Sequence, residues 1–172
     1  MRPHRMVQMA LAKRLLDVSA HVDVERYIPE LYDQVWHAKR QRWSQRLAIM
    51  DLHVSFAGAP SPYWIDVSVR SAAAERAVLR AAPGWAALQG EEEKCVRYKG
   101  GTRACVFEAL GRPGCAARAL LRDLVAIAAA CKLCTPHAAQ AWQTALERAA
   151  IWGCADNVLR SLGGQEAERW SR

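Results

Sequence analysis

No stretch of this chain approaches the about 18 consecutive apolar residues that a membrane-spanning helix needs. Cysteine is missing from the first 94 residues, and all six lie further on, at 95, 105, 115, 131, 134 and 154. The segment Met1–Ala20 has neither the compact apolar core nor the cleavage site of a secretory signal, so reduced thiols acting as small hydrophobes are expected. There is no glycine-rich loop of the kind that cradles phosphates, and no nucleophile triad. Acid is the scarcer charge: 17 Asp and Glu stand against 24 Lys and Arg, a formal net charge of +7, and the first 16 residues hold no acid at all. An acid-free basic start is shared by mitochondrial presequences and by any basic amphipathic helix. The excess of cations favours an anionic partner, nucleic acid first and an anionic membrane surface second.

What remains is ordinary for one folded domain: 172 residues, 52% of them hydrophobic and 24% charged. Met6, Met9, Leu11 and Leu15/Leu16 recur at helical spacing and predict a helix over 1–20, an extension ahead of a domain spanning 22–163, with a tail over 164–172. Residues 22–35, interrupted by Pro29, read as a loop with a short helical turn. Trp36–Arg46 is the most basic segment, with four Lys or Arg, one His, two Trp and no acid. It reads either as a solvated basic helix with Trp36 and Trp43 packed inward at i and i+7, or as a grip for phosphates. Two β-like runs follow, 47–56 and 63–70, separated by the turn-rich AGAPSP. From residue 71 onward alanine dominates, with 25 of the chain's 32, and alanine is the best helix former. Helices are predicted over 72–82 and 85–98 with a break at Pro83–Gly84, a strand over 104–110, then helices near 114–131 and 137–152 and a last turn ended by Gly163–Gly164. The expected class is α/β (α+β), a small mixed sheet carrying an antiparallel hairpin and flanked by Ala-rich helices.

If the two β-like runs pair about the centre of their turn, residues whose numbers sum to 117 face one another. One face then holds Ala48, Met50, Leu52, Val54, Tyr63, Ile65, Val67 and Val69, wholly apolar and fit to cover a core. The other pairs His53 with Trp64 and Asp51 with Asp66. Carboxylates directly opposite one another destabilise a sheet. A divalent cation between them reverses the sign, since hard oxygens are what Mg²⁺ takes. The alternative is a slipped register, or two side chains splayed into solvent.

Beyond the hairpin, Lys94 and Tyr98 lie four residues apart and share a helix face. A lysine beside a metal-bound phosphate suits phosphodiester hydrolysis, where an ammonium steadies the charge that develops in the transition state. The alternative is a solvated helix with surface Glu/Lys pairs.

The order Asp51, fourteen intervening residues, Asp66, then a helix with Lys94 and Tyr98 resembles the restriction-like endonuclease domain that ends the reverse-transcriptase polyproteins of site-specific non-LTR retrotransposons, within the PD-(D/E)xK nuclease superfamily. The stretches MDLHVSF…YWIDVSVR, EKCVRY and VFEALGRPG carry the likeness, helped by VDVERYIPELY and IWGCADNVLRSLGG, and it covers roughly residues 22–163. The resemblance implies a mixed sheet flanked by helices that nicks DNA with Mg²⁺ or Mn²⁺ to prime reverse transcription in the nucleus. It places the metal on Asp51 and Asp66, transition-state stabilisation on Lys94 and support on Tyr98, with Glu25 or Glu30 as a further carboxylate. DNA contacts are expected at Lys39, Arg40, Arg42, Arg46, Arg70 and Arg97. The element's own reverse transcriptase and RNA are the partners such a domain has within a longer polyprotein, of which this chain would be a fragment or a degenerate copy.

The sequence departs from the family's pattern at three places. Ser68 stands where a lysine is usual two positions after the second carboxylate, Met50 stands where a proline precedes the first, and His53 has no counterpart. A relic that binds DNA without cutting it is the second reading, and a basic helical interaction module the third. Cys131-x-x-Cys134-x-x-His137 has half the spacing of a zinc site, with Cys115 or Cys154 as a further ligand, but a second tight pair is missing and small hydrophobes at a helix turn are the expectation.

Overall fold

A computed structural model describes residues 2–37, 41–71, 83–98 and 101–170. The elements in chain order are α1 (Pro3–Asp17), β1 (His21–His37), β2 (Arg42–Ser55), β3 (Tyr63–Arg70), α2 (Trp85–Tyr98), β4 (Arg103–Glu108), α3 (Cys115–Ala130) and α4 (Ala138–Trp170). The strands form one mixed sheet in the order β1-β2-β3-β4, antiparallel up to β3 and parallel between β3 and β4, with α2 in the crossover. No helix among the described residues is long and apolar enough to cross a membrane.

Alternation along β3 and β4 gives each face of the sheet its own cover. Ile65, Val67, Cys105 and Phe107 join Val7, Leu11 and Leu15 of α1, Leu120, Leu121 and Leu124 of α3, and Trp142 and Leu146 of α4 in the main core. Asp66, Ser68 and Val106 lie on the opposite face, against α2. The main core thus needs α1, which the sequence reading sets apart as an extension.

Three further expectations are corrected. The loop expected over 22–35 is the edge strand β1. Its Val22, Val24, Tyr27, Ile28, Tyr32 and Val35 are strand formers. The pairing runs Ile28↔Ala48 and resumes at Tyr32↔Leu47, so Pro29, which has no N–H to give a ladder, sits in the register shift. The described residues of the basic segment are strand and turn, not helix: Trp36 and Trp43 are cross-strand partners of β1 and β2, and β2 begins at Arg42 instead of Leu47. Finally, α4 runs through Gly163 and Gly164 without a break. Glycine ends a helix by taking a positive φ, and the described glycines that do so are Gly58, Gly84 and Gly111. Of the two predicted Ala-rich helices after β3, 85–98 is α2, preceded by a turn at Pro83–Gly84, while 72–82 lies outside the described residues.

The β2–β3 hairpin has the expected register over Leu52↔Ile65, His53↔Trp64 and Val54↔Tyr63. There the ladder stops. On the other side of β2, Glu25 takes a left-handed φ of +58° between the pairs Val24↔Leu52 and Arg26↔Met50. Regular pairing is therefore interrupted on both sides of Asp51. The expected apolar face divides at this point: Leu52 and Val54 enter the main core, while Ala48 and Met50 form a second cluster with Ile28 and Tyr98.

Candidate functional site

The interruption at Asp51 turns its side chain into a substitute for the ladder. Asp51 Oδ2 accepts the Val67 N–H at 2.6 Å, a backbone donor that the parted strands would otherwise leave open. The remaining oxygen, Oδ1, faces His4 Nε2 of α1 at 3.5 Å. The main-chain carbonyl of Asp51 accepts from Gln8 Nε2 at 2.8 Å, and Gln8 is fully buried. Asp51 and Asp66 are therefore not a facing ladder pair, yet the Asp66 carboxylate acts on the Asp51 carboxyl.

Asp66 is buried and bound to Lys94, whose Nζ lies 2.6 Å from Oδ1. Lys94 reaches it from the face of α2 turned to the sheet, and Gly90 on the same helix comes close to Val106 and Arg70. Burial pushes the Asp51 carboxyl up to about 7, and the charge and hydrogen bonding of Asp66 push it the same way, against the Val67 N–H and the Lys94 cation. Lys94 is thus paired with the buried Asp66, while the half-buried Asp51 carboxyl has the His4 imidazole beside its Oδ1. His4 is shifted down from its ordinary value, by partial burial first and the neighbouring Arg5 second.

Two hard oxygen donors side by side fit Mg²⁺ or Mn²⁺, which bind through one or two carboxylates and leave the other positions to water and phosphate. No group of three or more His, Cys, Asp or Glu side chains in metal-holding arrangement occurs among the described residues. Any ion here would rest on this carboxylate pair. Cys131 and Cys134 are turned to backbone carbonyls, those of Ala57 at 3.8 Å and Val125 at 3.7 Å.

Tyr98, the fourth expected catalytic residue, follows Lys94 by one turn of α2 and is buried with Ile28, Ala48 and Met50. Ser68, at the position where the resemblance calls for a lysine, keeps its Oγ shielded from solvent with no hydrogen-bond partner among the described residues. His53 stacks on Trp64 with ring centroids 4.3 Å apart, and its Nδ1 lies 3.2 Å from Asp23 Oδ2 and 3.1 Å from Arg26 Nη1. Asp23 is held below the usual carboxylate range, mainly by its hydrogen bond with Arg26.

The expected DNA contacts are spread over several elements. Arg42 is exposed at the start of β2, and Arg46 pairs in register with Asp33. Arg70 is engaged with Glu93 of α2, and the Arg97 guanidinium lies 5.9 Å from the Tyr98 ring centroid. Lys39 and Arg40 lie outside the described residues. Of the two proposed extra carboxylates, Glu25 is bound to Arg5 at 2.7 Å, and Glu30 falls within the β1 register shift.

Three residues at or beside the site carry no signal read from the sequence. His4 and Gln8 belong to the helix set apart as an extension. Glu91, buried on the same face of α2 as Lys94, accepts the N–H groups of Ala116 at 2.9 Å and Ala117 at 3.2 Å and so caps α3. The α3 N-cap is Gly114 and has no side chain for that task. A Cβ at Gly114 would fall 1.9 Å from Glu91 Oε1, so the last glycine of GRPG is needed for this close approach. The spacing of Glu91, Lys94 and Tyr98 along one helix face was the available clue.

No protein-family model, no curated protein and no solved structure matches the chain.

Proposed function

We propose that this chain is a metal-dependent DNA endonuclease domain of retrotransposon origin, in which Asp51 and Asp66 hold Mg²⁺ or Mn²⁺ and Lys94 serves the phosphate being cut. The observation that carries the reading is the buried Asp66 carboxylate with a lysine at 2.6 Å, beside the half-buried carboxyl of Asp51, on a protein of net charge +7. The mixed sheet flanked by helices is the architecture that the sequence resemblance calls for.

When bound, the ion would polarise a phosphoryl oxygen and make its water a better nucleophile. The chain's own groups do the rest. Asp51, fixed by the Val67 N–H, and Asp66 present oxygens from neighbouring strands. Lys94 is screened from water, so its ammonium acts at low dielectric on the negative charge that builds on the phosphate as water adds and the sugar oxygen leaves. The net result is one P–O bond formed from water, which gives up a proton, and one broken to the deoxyribose oxygen, which leaves as a hydroxyl by taking up a proton. Arg42 and the other cations of the β1–β2 hairpin give salt-dependent affinity for the phosphate backbone. In the longer polyprotein the nick would prime reverse transcription in the nucleus, with the element's polymerase and RNA as partners.

The test is nicking of supercoiled plasmid by the purified chain in Mn²⁺, with EDTA and Asp66→Ala as controls. Metal-dependent nicking that Asp66→Ala abolishes is expected. DNA binding without nicking would make the domain a relic that kept its fold and lost its chemistry, a reading favoured by Ser68 in the usual lysine position.

A further inference from the structure

The first two turns of α1 converge on one place, the break in the sheet where Glu25 and Asp51 face each other. Arg5 Nη1 donates to Gln8 Oε1 at 2.8 Å and to Glu25 Oε1 at 2.7 Å. With its oxygen engaged by Arg5, the Gln8 amide is oriented so that Nε2 points to the Asp51 carbonyl at 2.8 Å. His4, one turn earlier, stands 3.5 Å from Asp51 Oδ1. Asp51 is therefore held at its carbonyl by Gln8 and at Oδ2 by Val67, and is fronted at Oδ1 by His4.

A strand with intact ladders on both sides would need none of this. Here the ladders are interrupted on both sides, so the backbone alone does not fix the direction of the carboxylate, and α1 supplies what they lack. Gln8 sits in the core and has a packing role as well. His4 is 39% exposed at its side chain and outside the apolar clusters, so packing does not account for its position.

We infer that His4 is a positioning residue for Asp51, orienting its Oδ1 toward a bound divalent cation, and that α1 is part of the metal site. The inference rests on the nuclease reading given above. The imidazole holds the ligand and not the ion, a role in which loss of the orienting partner lowers metal affinity by roughly 10–100-fold.

The test is Mn²⁺ binding by the full chain, followed by electron paramagnetic resonance of the free ion, together with the melting temperature of the metal-free protein. His4→Ala is expected to weaken Mn²⁺ binding about tenfold while leaving the metal-free melting temperature unchanged, and His4→Gln, which keeps an N–H of similar reach, to recover most of the loss. Equal Mn²⁺ affinity in wild type and His4→Ala would overturn the inference and leave the nuclease reading standing. Weaker binding that tracks a lower metal-free melting temperature and is not rescued by His4→Gln would mark a structural role and also overturn it. A wild-type chain that binds no Mn²⁺ would remove both.

Discussion

Lys94 of α2 and Asp66 of β3 meet at 2.6 Å with side chains only 9% and 11% exposed, and this contact ties the crossover helix to the sheet beside the half-buried carboxyl of Asp51. An ion pair so placed is strong only while both partners remain, because either charge left alone would be buried without compensation.

Lys94→Met is therefore expected to cost about 3 kcal/mol of stability at pH 7 and to abolish nicking. Urea denaturation read by tryptophan fluorescence measures the first and the plasmid assay the second. A folded, equally stable Lys94→Met protein would show that the pair is not closed in solution.

The raised carboxyl of Asp51 predicts an unusual dependence of stability on pH. Its ordinary value is 3.8 and its folded value about 7, so between these limits the native state holds a proton that the unfolded state has released. Stability from this group is then fully present below about pH 4 and is lost as pH rises through 7, by an amount on the order of 4 kcal/mol at most. Asp51→Asn should flatten that slope and be the more stable protein at pH 8. Mg²⁺ should stabilise the wild type far more at pH 8 than at pH 5. Parallel melting curves across this range for wild type and Asp51→Asn would count against the raised carboxyl.

Gly114→Ala should be destabilising out of proportion to its size. The added Cβ would displace Glu91 from the Ala116 and Ala117 N–H groups, and losing a cap of this kind costs about 1–2 kcal/mol. In a double-mutant cycle, Glu91→Ala with Gly114→Ala should cost less than the two single changes added together, because one capping interaction is lost in both. Strict additivity would separate the two residues.

Ser68→Ala is expected to be neutral or to stabilise by up to about 1 kcal/mol, since it deletes a shielded hydroxyl that has no partner among the described residues. A loss beyond about 1 kcal/mol would indicate that Ser68 Oγ is bonded in solution.

Much of the architecture is legible in the sequence alone. Alternation marked β3 and the second half of β2, the sum of 117 placed Leu52, His53 and Val54 against Ile65, Trp64 and Tyr63, and alanine content marked α2 and α3. Local pattern suffices there because each of these elements turns a regular series of apolar side chains to the interior. Pattern failed for β1, where Pro29 reads as an interruption until the partner strand shows a register shift that absorbs it. It failed again at Gly163–Gly164, where glycine's freedom permits a stop without requiring one.

The residue types of the site were likewise present in the sequence: two aspartates near one another across a turn, and a lysine and a tyrosine on one helix face. Whether the aspartates would meet was a tertiary matter, decided by the parting of the strands at Asp51, the Val67 N–H that its carboxylate takes up, and the α2 packing that buries Lys94 on Asp66. The contribution of α1 was hidden for the same reason. His4 and Asp51 are 47 positions apart and follow no periodicity, so only the packing of α1 beneath the sheet brings an imidazole to that carboxylate.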